Sequence, residues 1–359
     1  MSAKPESSGP IAPRVTIAKI AAETGVSVPT VSKVLNGRPD VAASTRARVE
    51  AVISTYGYRR RANERSWHSR LLELMFHELE SAWALEIIRG VENVARENGM
   101  AVVLADSSGR HTPGQNWLES VLARRPVGIV SVCSDFTAGQ LEKLRARDIP
   151  LVVVDPAGAP GPEMPSIGAT NWQGGLTATL HLLKLGHRRI AMIGGPGDVL
   201  CSRARIDGYR TALETAGLAF DPALVRQGDF HVRSGYRELT SLLTLRDRPT
   251  AVFAGSDLQA LGVYEAARAA GLRIPEDLSV VGFDDLPIAR WLTPELTTIR
   301  QPLQEMAAAG ARLALSLARG RTPESHRIEL STSLVVRHST AAPAHDGSAP
   351  SRLLSGGPR

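Results

Sequence analysis

The chain has 359 residues, 43% of them hydrophobic, two cysteines and a formal net charge of +6. That length is too great for one compact core and predicts two or three domains. No apolar run approaches the roughly 18–20 residues of a membrane-spanning helix, and the first 14 residues hold no apolar stretch of the kind that directs secretion, so a cytoplasmic chain with two reduced thiols is expected.

The charge is uneven. Residues 1–70 carry 12 basic and 5 acidic side chains, whereas the remainder carries 30 basic and 31 acidic. All the excess positive charge therefore lies in the first fifth of the chain, the pattern of a polyanion-binding module joined to a near-neutral body.

Residues 1–14, rich in Ser, Pro and Gly, read as a disordered tail. Thr16 is placed to cap a helix over 17–24, with Ile17, Ile20 and Ala21 on one face, and Gly25 stops it. Ser27 caps a second helix that tolerates Pro29 in its first turn and turns Val31, Val34 and Leu35 inward. Asn36-Gly37 ends that helix. A third helix is predicted over 44–55, with Val49, Val52 and Ile53 inward.

From residue 71 the pattern changes. Apolar runs such as "LLELMF", "AVVLA", "VGIVSV", "LVVVD", "IAMIG", "AVFAG" and "LSVVGFD" alternate with amphipathic stretches such as "LEIIRGVENVARENG" and "LQALGVYEAARAAG". Strand–helix alternation predicts doubly wound parallel sheets. There are too many units for one sheet, so two similar lobes are expected, with a cleft at the carboxyl ends of their strands. Residues 341–359 read as a second disordered tail without leucine heptads.

A helix, a glycine turn and a Ser-capped second helix form a helix-turn-helix, whose second helix must meet base edges in the major groove with its early exposed residues. Here these are Val28, Pro29 and Lys33. Thr30, Ser32 and Asn36 are short donors suited to phosphates, and Thr16, Ser27 and Thr45 stand at helix starts where backbone N–H groups favour anions. A plain three-helix bundle is the competing reading, but charge, capping and turn agree on DNA.

The stretch "VTIAKIAAETGVSVPTVSKVLNGRPDVAASTRARVEAVISTYGY" resembles the headpiece of the LacI/GalR family of bacterial transcriptional regulators. The later pieces "EIIRGVE", "LLKLGHRRIAMIGG", "SRARIDGYRTAL", "GSDLQALGVYEAA", "LSVVGFDDLPIARWLTPELTTIRQP" and "LVVRHS" resemble that family's core, which is similar to a periplasmic sugar-binding protein. The resemblance implies an all-α headpiece at 15–59, a hinge at 60–70 and a two-lobed α/β core at 71–340. The first lobe would comprise 71–169 and 298–327, the second 170–297 and 328–340. It also implies a homodimer on a pseudo-palindromic operator, most simply a repressor, controlled by a small effector between the lobes. Tyr58, Arg60 and Arg61 join the expected DNA contacts. Arg60 and Arg61 stand where the family carries Pro-Asn, and Trp67 stands near its minor-groove leucine, either as a wedge or packed under the core.

Sugar sites combine carboxylate, guanidinium and amide groups with aromatic faces. Asp155 ends one apolar run, and Asp284 and Asp285 end another. By the resemblance Arg205 and Asp284 contact the effector, Phe230 stacks on it, Trp83 lies in the first loop of the first lobe, and Ser256 replaces a common Asn. Asp257 is expected to cap the following helix. A sugar or oligosaccharide is the expected effector, with a nucleobase or sugar phosphate left open.

Enzymatic readings find little support. "IGGPGD" lacks the Lys-Ser/Thr of a phosphate loop, the histidines show no ligand spacing, and adjacent Asp284 and Asp285 on an extended chain point opposite ways. No cofactor or metal is expected. A sugar-binding transport protein would share the core but should carry a secretion signal and no helix-turn-helix.

Overall fold

The computed structural model describes residues 16–35, 41–56, 69–79 and 82–344. The chain divides into two compact units, at 1–66 and 67–359.

The first unit is three helices: α1 (Ile17–Thr24), α2 (Val28–Leu35) and α3 (Ala43–Thr55). The Thr16 hydroxyl accepts the Lys19 N–H at 3.3 Å, and Gly25, at φ 65, ends α1 in the left-handed conformation that glycine adopts without strain. The i, i+3/i+4 spacing puts Ile20, Ala21, Val31, Val34 and Val49 in one core, with Ile17, Val26, Val41, Val52 and Ile53 packed around it. The third helix begins at Ala43, one residue earlier than expected.

The second unit holds two six-stranded sheets, their strands numbered below in chain order. The first contains β1 (Leu71–Phe76), β2 (Ala101–Asp106), β3 (Gly128–Val132), β4 (Leu151–Val154), β5 (Ser166–Ala169) and β11 (Arg327–Leu330), in the spatial order β11-β5-β4-β3-β1-β2. The second contains β6 (Ile190–Gly194), β7 (Val225–Gln227), β8 (Ala251–Ala254), β9 (Ser279–Asp284), β10 (Thr297–Arg300) and β12 (Ser333–Val335), in the order β12-β10-β9-β8-β6-β7. Every pairing is parallel except β10 with β12. Fully buried runs such as Gly128–Val132 and Ile190–Gly194 explain why these strands read as continuous apolar segments.

The helices cover the sheets. In the first lobe these are α4 (Ala82–Glu97), α5 (Gln115–Arg124) and α6 (Ala138–Arg145). In the second they are α7 (Asn171–Lys184), α8 (Leu200–Thr215), α9 (Val232–Leu242) and α10 (Asp257–Ala269). The last helix, α11 (Leu303–Ala318), returns to the first lobe and packs its Met306, Ala307, Ala311 and Ala314 into that core.

The chain crosses between lobes three times, and two crossings differ from expectation. Strand β10 runs parallel to β9, with Thr297 opposite Val281 and Arg300 opposite Asp284, so residues 298–300 belong to the second lobe. Strand β11 pairs with β5 from Arg327 to Leu330, so residues 328–330 belong to the first. The crossings therefore lie at 170, 301–302 and 331–332. Two of them are laced together: the Thr332 N–H donates to Thr170 Oγ1 at 2.9 Å, and the Thr332 hydroxyl donates to the Thr170 carbonyl at 3.1 Å.

The expected tail from 341 also begins too early. The Ala341 carbonyl accepts from His187 Nε2 at 2.9 Å, and its N–H donates to Ser279 Oγ at 3.0 Å, which fixes it to the second lobe. Residues 1–14 and 345–359 lie outside the described residues.

Candidate functional site

On the first unit, α2 buries Val31 and Val34 and so leaves Val28, Pro29 and Lys33 on its outer side. Thr30 and Ser32 are half-buried. The Ser27 and Thr30 hydroxyls bond each other at 2.8 Å, and Ser27 Oγ accepts the Thr30 N–H at 3.3 Å, which caps the helix as its sequence suggests. Thr45 lies within the first turn of α3. The cap there is Ala42, whose side chain accepts no bond. Sequence reasoning passed over Tyr56: its hydroxyl donates to Glu23 at 2.6 Å while the Lys19 ammonium lies 5.3 Å from its ring centre, fastening α1 to the end of α3. Asn36, Tyr58, Arg60, Arg61 and Trp67 lie outside the described residues.

In the second unit all six residues singled out for an effector line one cavity of about 270 Å³: Trp83, Asp155, Arg205, Phe230, Ser256 and Asp284. Their placement follows from parallel-strand topology. Asp155 follows β4, Phe230 lies just beyond β7, Ser256 follows β8 and Asp284 ends β9, so the carboxyl ends of strands from both lobes converge. Trp83 comes from the first turn of α4 rather than from a loop.

Backbone strain gathers here. Cys133, Asp155, Phe230 and Asp284 all line the cavity with positive φ, at 50, 49, 69 and 120. Non-glycine residues rarely adopt such values, and they persist where the surrounding fold holds side chains in set positions. The Phe230 ring lies so close over Gly195 that any Cβ there would come within 2.0 Å of it.

Arg205 is 3% exposed. Its Nε donates to Asn171 Oδ1 at 2.9 Å and its Nη1 to the Gly255 carbonyl at 2.6 Å, with the guanidinium carbon 3.7 Å from the centre of the Phe283 ring. Asp284 accepts a 2.6 Å bond from Gln301 Nε2. Burial pushes its carboxyl up to about 7, against the downward pull of Arg205 and that bond. Burial also raises Asp155, opposed by Arg205 and by the thiols of Cys201 and Cys133. Cys201 itself is pushed up to about 12 by burial, so it remains a neutral thiol.

Two neighbouring carboxylates serve elsewhere. Asp285, just beyond β9, pairs with Arg300 at 2.7 Å and with Arg337 rather than lining the cavity; with φ of 120 and 60, the two aspartates are not on the extended chain assumed from the sequence. Asp257 does not cap α10. Ser256 does, accepting the Gln259 N–H at 3.0 Å while donating to the Phe230 carbonyl at 2.8 Å. Asp257, fully buried, instead accepts the Leu286 N–H at 2.7 Å and the Thr298 hydroxyl at 2.6 Å, tying α10 to β10.

Sequence reasoning missed other cavity residues: His77, Glu78, His111, Cys133, Cys201 and His231. His77 and His111 stack with ring centres 4.1 Å apart, and burial, then His111, lowers the His77 pKa. His231, opening α9, meets Glu78 of the first lobe at 3.2 Å across the cleft. His77 and Cys133 directly follow β1 and β3, a position that could have flagged them. Among the described residues no group of three or more His, Cys, Asp or Glu could hold a metal ion, and no helix is long and apolar enough to cross a membrane.

Comparison with known proteins agrees with both units. Residues 16–61 match the family described as bacterial regulatory proteins, lacI family, and residues 179–340 match a periplasmic binding protein-like domain. The chain is 34% identical over 330 residues to the HTH-type transcriptional repressor PurR of Proteus mirabilis, covering 91% of this chain and 97% of that repressor. A structure of the transcriptional regulator CelR in complex with cellobiose is 34% identical with a TM-score of 0.69, covering 91% of this chain and all of that one. The lac repressor dimer bound to operator and the anti-inducer ONPF is 28% identical with a TM-score of 0.66, covering 91% and 99%. With its helix-turn-helix unit, its two-lobed core and its relatives in accord over nine-tenths of its length, the chain belongs to the lacI family of bacterial regulatory proteins and is a DNA-binding transcription regulator with an effector-binding core.

Proposed function

We propose that this regulator is a cytoplasmic homodimeric repressor. It binds a pseudo-palindromic operator through Val28, Pro29 and Lys33 at base edges and through the hydroxyls of Thr16, Ser27, Thr30, Ser32 and Thr45 near phosphates. A sugar-class effector in the cleft sets its operator affinity. The observation that carries the effector reading is the convergence of Trp83, Asp155, Arg205, Phe230 and Asp284 on one cavity. Carboxyl and guanidinium groups suit paired hydroxyls, and the aromatic rings suit the apolar face of a pyranose. A volume of about 270 Å³, near the lower end of the roughly 300–1,000 Å³ usual for small-molecule sites, favours one or two rings over a longer oligosaccharide. The cellobiose complex of CelR supports a ligand of that size.

The experiment is a thermal-shift screen of the full chain against mono- and disaccharides, followed by operator titration with and without each hit. A sugar that raises the melting temperature by mass action and also changes operator affinity is the expected result. Stabilisation by nucleobases alone would replace the sugar reading. Lys33→Ala tests the helix-turn-helix unit: operator affinity should fall while sugar-induced stabilisation persists, and unchanged affinity would remove Lys33 from the DNA contacts.

A further inference from the structure

The buried acids of the cleft are short of positive charge. Asp155 is 6% exposed and Asp284 is 5% exposed. Among the described residues neither forms an ion pair: the arginines nearby in the second lobe, Arg300 and Arg337, are taken by Asp285. Arg205 is the buried cation of the cavity, and its hydrogen bonds go to neutral acceptors, the Asn171 amide oxygen and the Gly255 carbonyl. One guanidinium therefore serves two buried carboxyl groups at a distance.

The two acids also differ in their donors. Asp284 has the Gln301 amide at 2.6 Å. Asp155 has no nitrogen or hydroxyl donor among the described residues, only thiols: Cys133 Sγ at 3.9 Å and the Cys201 side chain. A thiol is a weak donor. Asp155 is thus more than nine-tenths buried, faces the cavity and lacks a strong partner, while its charge is left largely uncompensated. A buried carboxylate in that state is stabilised most by a cation that arrives with hydrogens to donate.

We propose that Asp155 is the seat for a protonated amine of the effector, which makes the ligand class an amino sugar of one or two rings with a free ammonium group rather than a neutral sugar. The aromatic walls, Phe76, Trp83 and Phe230, cover the ring while the ammonium reaches the carboxylate. This rests on the reading of the cleft as an effector site.

The test is calorimetric titration of the full chain with matched probes: D-glucosamine, D-galactosamine and D-mannosamine, the N-acetyl derivative of each, and the neutral parent hexoses. Charge-assisted bonds are about twice as strong as neutral ones, so one amino sugar should bind roughly ten-fold or more tightly than its N-acetyl and neutral counterparts. In Asp155→Asn that preference should fall below roughly two-fold, because the amide keeps the shape and loses the charge. Asp155→Ser is the second variant should the first prove insoluble. A neutral hexose binding as tightly as its amine overturns the inference and leaves the effector site standing. Binding by none of the nine probes overturns the inference, while the mono- and disaccharide screen decides separately whether the cleft takes a sugar. An amine preference that survives intact in either variant overturns the assignment to Asp155.

Discussion

The two lobes hold their cleft acids in different ways. In the second lobe each is held in place: Arg205 by Asn171 and Gly255, Asp284 by Gln301, and Ser256 by the Phe230 carbonyl and the Gln259 N–H. In the first lobe His111 bonds the Cys133 carbonyl at 2.9 Å, His77 meets the Gly109 backbone and Glu78 meets His231, whereas Asp155 is met only by two thiols. The second lobe is therefore wired around its polar groups, and in the first lobe Asp155 is the weakly held exception. Preorganised groups contribute affinity with little ordering cost, whereas loosely held ones contribute the change between empty and filled states.

The largest consequence is for stability. Arg205→Ala leaves the Asn171 amide oxygen and the Gly255 carbonyl without donors and removes the cation nearest two buried acids, at a cost of about 3 kcal/mol or more. Urea denaturation of the unliganded chain measures it, and a loss under 1 kcal/mol would show that the second lobe is not rigidly wired. Next is ligand response. Asp284→Asn should weaken effector binding by about 5- to 150-fold, the equivalent of one buried hydrogen-bonding partner lost. Operator titration against a fixed effector dose reads it, and an unchanged dose curve would place the ligand elsewhere.

The same carboxyl sets a pH dependence, spread over several units. Asp284 titrates near about 7 in the folded chain and near about 3.9 when unfolded. Between those values the folded chain binds more protons, so this group's contribution to stability declines as pH rises from about 4 and is fully lost above about 7. Melting temperatures of wild type and Asp284→Asn across that window should converge towards acid and separate towards pH 8, with the variant higher. Parallel curves would mean that the carboxyl is ionised throughout. Smallest of all, Asp155→Asn should change the unliganded stability by less than about 1 kcal/mol, or raise it, because no strong donor is orphaned. A loss equal to that of Arg205→Ala would erase the contrast between the lobes.

What was legible in the sequence follows the same division between local and distant causes. Helix α1 could be bounded from Thr16 and Gly25 alone, because cap and stop are local. Strands such as β3 and β6 were visible because both of their faces are buried. Strands β7, β11 and β12, reading VRQ, RIEL and SLV, carry no apolar run of useful length and exist because a neighbour offers an edge. Two lobe crossings moved by at least three residues, one because β10 stays on β9 and the other because β11 joins β5. The six cavity residues were reachable through strand ends and family resemblance. Cys201 and His231 were not, because they reach the cavity from the starts of α8 and α9, which are placed by packing on α7 and α10 of their own lobe rather than by a strand end. The role of Asp257 was misjudged because its partners, Leu286 and Thr298, are distant in sequence.

The crossings carry a consequence for how such a protein diversifies. Thr170 and Thr332 bind two of them together, Asn171 beside the first holds Arg205, and Gln301 in the second holds Asp284. The side chains that hold Arg205 and Asp284 in the second lobe thus also stand at the connections between the lobes. A substitution at Asn171 or Gln301 should therefore disturb both a cavity side chain and the connection beside it. Asp155, Trp83 and His77 share no side-chain bond with a crossing among the described residues. Substitutions at Asp155, Trp83 or His77 can therefore reshape the cavity while leaving the bonds at the crossings intact.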